Sequence, residues 1–123
     1  MINHLKKLSN SFFSMVKVGA LKKRYVLFRL QGPDMEEQAL KRAIYGEALK
    51  FFGESGLSEA ALKLVSYDSA KKTGILRCER GYLEKVLGFL ALLNSLDGSE
   101  ARLVSIRSSG TIHGLERVLE STH

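Results

Sequence analysis

"LKLVSYDSAKKTGILRCER", residues 62–80, sets two runs of apolar and β-branched residues on either side of a turn-rich link. Leu62 to Tyr67 reads as one strand and Ile75 to Arg80 as the next. The link between them, "DSAKKTG", has the length of a hairpin connection. Outward from this hairpin, the apolar spacing changes on both sides from period two to a helical repeat.

Upstream, Leu40, Ile44, Ala48 and Phe51 or Phe52 form the stripe of a helix. Asp34 and Glu37 stand at capping-box spacing before it, and Gly53 to Gly56 breaks it. Before that helix, "YVLFRL", Tyr25 to Leu30, is β-branched and aromatic and is stopped by Gly32-Pro33. Downstream, Tyr82 to Leu96 reads as a second helix whose later turns, "VLGFLALL", are apolar nearly all round, with Asp97-Gly98 at its end. Ala101 to Arg107 gives a fourth strand. Ile112 to Glu120 gives a last helix with Ile112, Leu115, Val118 and Leu119 on one side. The order β-α-β-β-α-β is the ferredoxin-like, or split-βαβ, arrangement. The expected class is α+β: a ferredoxin-like, RRM-like sandwich with a four-stranded antiparallel sheet, an extra C-terminal helix and a basic N-terminal arm.

At 123 residues the chain fits one domain with a core of its own. The lone Cys78 excludes an intramolecular disulfide and suits a reducing, cytoplasmic compartment. No apolar run approaches the roughly 18 residues of a membrane span. The net charge of +6 is localised. Lys6, Lys7, Lys17, Lys22, Lys23 and Arg24 precede the first strand with no acidic residue among them. The remaining 13 basic residues balance 13 acidic ones. We therefore divide the chain into an arm, residues 1–21, and a domain, residues 22–123. A basic arm on a neutral body points to a polyanionic partner, nucleic acid or a membrane surface. Ile2, Leu5, Leu8, Phe12, Met15 and Val16 also give the arm an amphipathic stripe. A mitochondrial transit peptide shares that stripe but is normally Arg-rich, and no Arg occurs before Arg24. A start at Met15 would remove most of the arm.

Strand alternation assigns the sheet faces. Val26, Phe28, Leu30, Leu76, Cys78, Val104 and Ile106 are expected to face the two main helices. Tyr25, Leu27, Arg29, Ile75, Arg77, Leu103, Ser105 and Arg107 are expected on the opposite face. RNA-recognition motifs stack bases on aromatics of that second face. The third strand here, "GILRCER", has none. Leu27, Ile75 and Leu103 favour a lid instead, for which the C-terminal helix is available, with Arg29, Arg77 and Arg107 at its margin. These arginines are either ordinary solvated strand residues or contacts for RNA. The second helix also has two readings, deep core or protein interface, and Val86, Leu87, Phe89, Leu90, Leu92 and Leu93 are its interface candidates.

Protein-borne chemistry finds no foothold. His4, His113 and His123 have no zinc-ligand spacing with Cys78 or with one another. Ser108 and Ser109 lack a plausible base, since His113 is one helical turn away, and "RSSGTIHG" is no P-loop. No catalytic residue, metal site or cofactor is expected. Ser108 to Thr111 instead reads as the start of the last helix, with Ser109 or Thr111 accepting from a first-turn amide and Gly110 permitting a change of direction. The amides left free beside Arg107 would suit an RNA phosphate, and His113 and Gly114 are poor helix formers there.

Three stretches together resemble ribonuclease P protein component 2, the small ferredoxin-like subunit family of archaeal ribonuclease P. "TGILRCER", Thr73 to Arg80, is similar to the family's third-strand motif. "SGTI", Ser109 to Ile112, resembles its last strand-to-helix junction, and "KKRYVLFRL", Lys22 to Leu30, its opening strand. The likeness spans about residues 22 to 120. It departs at His113, where the family usually has Lys or Arg, and it leaves residues 1–21 unmatched. It implies a non-catalytic subunit that supports a catalytic RNA in removing the 5′ leader of precursor tRNA. It also implies component 3, a barrel-fold protein, as partner, and a dimer of this chain within a heterotetramer. A ferredoxin-like regulatory dimer that senses a small molecule is the rival from another class; a membrane-surface protein held by its arm is a second.

Overall fold

The computed structural model describes residues 22–115. Its elements run β1 (Lys23–Gln31), α1 (Glu37–Ala60), β2 (Lys63–Asp68), β3 (Thr73–Glu79), a 3-10 turn (Arg80–Tyr82) and α2 (Leu83–Leu92). β4 (Ser95–Leu96), β5 (Ser99–Glu100) and β6 (Arg102–Ser109) follow. Residues 112–115 are again helical. The main sheet has the order β2-β3-β1-β6, with every neighbouring pair antiparallel. With α1 and α2 crossing between its strands, this is the ferredoxin-like arrangement. Among the described residues no helix is long and apolar enough to cross a membrane.

One face of the sheet carries the core. Val26, Phe28, Leu30, Leu64, Leu76, Cys78 and Leu103 pack against Leu40, Ile44 and Ala48 of α1 and Val86, Phe89 and Leu90 of α2. The outer face holds a smaller cluster, Leu27, Ile75 and Leu115, with Tyr25 and Val65 at its margin. Leu115 is fully buried there, so the start of the expected C-terminal helix covers Leu27 and Ile75, though not Leu103, while Val118 and Leu119 lie outside the described residues.

Four expectations need correction. The expected alternation puts Val104 and Ile106 inside and Leu103 and Ser105 outside, but β6 carries a bulge. Leu27 pairs with Arg107 while Phe28 pairs with Ser105, leaving Ile106 as the extra residue, and Ile106 is exposed. One extra residue reverses the faces on one side of the bulge. Leu103 therefore joins the core opposite Leu30, and Val104 lies opposite Arg29 on the outer face. Arg107, beyond the bulge, keeps the outer-face position expected for it.

Second, the helix does break at Gly53 (φ 76°, ψ 171°), as expected, but the break is not its end: a further helical segment runs to Ala60, where Ala61 in left-handed geometry donates to the carbonyls of Leu57 and Ser58. Third, Asp34 makes no cap. The helix begins at Glu37 with no side-chain cap bond, and Asp34 instead pairs with Lys72 at 3.4 Å. Fourth, α2 stops at Leu92. Asp97 (φ 55°) and Gly98 (φ 81°) form the two-residue turn of the small β4–β5 hairpin.

Candidate nucleic-acid interface

The strand pairings lay the outer face out in rows. Lys63, Arg77, Tyr25 and Ser109 stand opposite one another in one row across the four strands. Ser66, Ile75, Leu27 and Arg107 form the next, and Asp68, Thr73, Arg29 and Val104 the third. Arg29, Arg77 and Arg107 thus share one face, around the apolar patch under Leu115. Arg29 and Arg107 are exposed, and neither makes an ion pair among the described residues. Arg77 is half-buried, and its Nε is buried with no hydrogen-bond partner.

The remaining candidates are less free. Lys22 is exposed, whereas Lys23 is engaged by Glu79. That hydrogen bond holds the Glu79 carboxyl below its usual range. Arg24 donates through Nη1 to the Lys23 carbonyl at 2.9 Å. Lys6, Lys7 and Lys17 lie outside the described residues.

The β6-to-helix junction is a double cap. Ser109 Oγ accepts from the Thr111 amide at 3.1 Å, and Thr111 Oγ1 accepts from the Gly114 amide at 3.4 Å. Thr111 is therefore the N-cap, bonding the third amide of the helix. Gly110 does not have the left-handed backbone expected of a sharp turn. Its missing side chain instead leaves space beside Arg24, whose Nη1 would lie 3.5 Å from a Cβ there. Gly114 also has a packing reason, because a Cβ there would come within 2.9 Å of Ser109 Oγ. The presence of a poor helix former at 114 is thus no sign of function. Thr111→Ala is expected to cost about 0.5–2 kcal/mol, read as a lowered denaturant midpoint at unchanged m-value.

The interface candidates on α2 divide. Val86, Phe89, Leu90 and Leu93 are buried in the protein's own core and present no free surface, which corrects the interface reading for these four. Leu87 is partly buried against that core. Leu92 is 70% exposed and lies near the exposed Phe51, whose ring meets Phe89 at 5.5 Å.

Of the reactive side chains weighed in the sequence, His4 and His123 lie outside the described residues. Cys78 is buried, and burial, with the neighbouring Glu79 carboxylate, pushes its thiol up to about 11. It is a protonated, unreactive packing residue at neutral pH. Among the described residues no three His, Cys, Asp or Glu side chains gather to hold a metal. Two cations that sequence reasoning missed, Lys41 and Lys63, gather with Arg77 around a pocket of about 450 Å³. The signal for Lys63 was out of reach, because a second bulge, with Val65 as its extra residue, is what sets Lys63 opposite Arg77.

Comparison with known proteins agrees with the motifs. The model of the Rpp14/Pop5 family matches residues 24–119. Ribonuclease P protein component 2 of Pyrococcus furiosus is 33% identical over 97 residues, covering 78% of this chain and 81% of that protein. The component 2 proteins of Archaeoglobus fulgidus (33% identical, 78% and 86% covered) and Aeropyrum pernix (31% identical, 81% and 84% covered) are similarly close. A chain in the cryo-EM structure of yeast ribonuclease MRP aligns with a TM-score of 0.50, covering 83% of this chain and 92% of that one. At 11% identity this likeness shows the fold alone. With the ferredoxin-like sheet and the "TGILRC" and "SGTI" stretches in place, the chain belongs to the Rpp14/Pop5 family.

Proposed function

We propose that this protein is a non-catalytic subunit of ribonuclease P. It binds and supports the catalytic RNA, in the cytoplasm, during removal of the 5′ leader from precursor tRNA. The observation that carries this reading is the match to component 2 proteins over nearly the whole domain. The geometry suits it: the outer sheet face offers unpaired arginines around an apolar patch, and the one thiol is buried. Residues 1–21 would add affinity through phosphate contacts of Lys6, Lys7 and Lys17. The barrel-fold component 3 is the expected protein partner, within a heterotetramer built on a dimer of this chain. Leu92 and Leu87 with Phe51 offer apolar surface for protein contact. The small-molecule-sensing dimer gains no support from the relatives named above, all of which are ribonuclease P component 2 proteins.

Reconstitution tests the reading. The protein and its barrel-fold partner, added together, are expected to raise cleavage of precursor tRNA by the cognate RNA, while the protein alone cleaves nothing. RNA-independent cleavage by the purified chain that survives Cys78→Ala and chelation would overturn it.

A further inference from the structure

At the start of β2 the chain leaves α1 through Ala61 and Leu62, and a pocket opens between that exit and β3. Its volume is about 450 Å³, within the range of sites that hold small organic groups. Tyr45, Leu57 and Leu62 line its apolar part, and Lys41, Lys63 and Arg77 supply three cations, with no acidic residue in the lining. None of the three makes an ion pair among the described residues. The acid next along β3 from Cys78, Glu79, is already engaged by Lys23.

Two features make this gathering costly without an occupant. Lys63 and Arg77 stand directly opposite each other across an antiparallel pair, where like charges repel. The Arg77 Nε is buried with no acceptor, a donor whose desolvation nothing on the protein offsets. An anion in the pocket would relieve both. The apolar lining beside the cations narrows the choice to an anion that carries a flat, largely apolar body. A nucleotide of a single-stranded segment has both parts: a phosphate for the cations and a base for Tyr45, Leu57 and Leu62.

We infer that this pocket takes one unstacked nucleotide of the bound RNA, its phosphate held by Lys41, Lys63 and Arg77. The inference rests on the RNA-subunit reading above and adds a second contact area, at the β2 edge of the sheet, where Lys63 and Arg77 of the outer face meet Lys41 of α1. It also makes a chemical distinction. Arg29 and Arg107 of the outer face read phosphate alone, whereas the pocket needs a base that is free of pairing.

The test uses the full chain, with Lys41→Gln and Lys63→Gln combined so that the half-buried Arg77 is left in place. Binding is measured by fluorescence anisotropy to the cognate RNA, to a labelled uridine dodecamer, and to the same dodecamer with abasic positions. The double variant is expected to bind the dodecamer with a log–log salt slope flatter by about 1.4, two contacts at about 0.7 each. Lys41→Arg with Lys63→Arg is expected to restore the slope. The wild-type protein is expected to prefer the intact dodecamer over the abasic one by about tenfold. Equal binding of intact and abasic dodecamers overturns the inference, as does an unchanged slope in the double variant. If that variant keeps its RNA affinity but loses the barrel-fold partner, the cations face an acidic protein surface and the inference falls. Arg29→Ala with Arg107→Ala separates the two levels. Loss of RNA affinity there, with none in the pocket variant, removes the pocket and leaves the subunit reading standing. A wild-type protein that binds no RNA removes both.

Discussion

Gly74→Ala is expected to lower the melting temperature by about 10–20 °C, the largest stability loss foreseen for a single added methyl group in this protein. Gly74 stands between Phe28 on β1 and Tyr67 on β2, one residue opposite it on each side. The two rings stack across it, 6.2 Å between centroids and 7° from parallel. The Phe28 ring lies over the space a side chain at 74 would need. A Cβ there would come within 2.7 Å of Phe28 Cζ and 2.8 Å of the Ser66 carbonyl oxygen. The Phe28 ring is fully buried and cannot swing aside, and the Ser66 oxygen belongs to the backbone. Overpacking of this kind costs about 1–3 kcal/mol, and a clash on two sides belongs at the upper end. For a domain near 100 residues each kcal/mol moves the midpoint by about 4–8 °C. Gly46 is the control. It is exposed within α1 with nothing within 4 Å of the position a Cβ would take, so Gly46→Ala is expected to stabilise by about 0.5–1 kcal/mol. Differential scanning calorimetry of the two variants decides the matter, and equal midpoints would show that the aromatic pair yields. The Gly of "TGILRC" is thus explained by the sheet alone, without any contact to RNA.

The order of elements was legible because each strand and helix announces its own period. "YVLFRL" and "GILRCER" alternate cleanly, so the faces of β1 and β3 follow from side-chain direction, and Cys78 falls in the core as its alternation requires. Strand β6 alternates as cleanly, yet its faces were misread. A bulge is a property of the pairing between two strands, and Ile106 carries no local mark that it is the unpaired residue. The Asp97-Gly98 turn is the opposite case. The dipeptide is a hairpin signal, but its flanking strands are two residues each, too short to show a period. On α2 the apolar run was visible and its meaning was not. Periodicity cannot tell a core helix from an interface helix, and only the packing of Phe89 and Leu90 under α1 and the sheet places them inside. At the candidate site, the capping roles of Ser109 and Thr111 were readable from residue type. The gathering of Lys41, Lys63 and Arg77 was not, since it depends on the exit from α1 and on the bulge at Val65.

Arg29→Ala combined with Arg107→Ala is expected to flatten the log–log salt dependence of RNA binding by about two contacts while leaving the fold intact. Both side chains are exposed on the outer face, in neighbouring rows of the sheet, and neither is tied to an acid among the described residues. Their removal therefore breaks no internal interaction, and surface substitutions of this kind stay within about 0.5 kcal/mol of stability. Each phosphate contact adds about 0.7–0.9 to the slope because it releases condensed counterions. Two lost contacts make the ratio of wild-type to variant affinity fall by roughly tenfold between 50 and 200 mM salt. That salt signature matters more than the loss itself. A loss of affinity that stays constant with salt would mean that the arginines act through packing rather than through phosphates. If affinity and slope were both unchanged, the outer face would be solvated sheet, and RNA contact would have to come from the pocket at the β2 edge or from the basic arm. Arg77 is left out of this pair for a physical reason: its Nε is buried, so replacing it would change the packing beside Tyr25 as well as the charge.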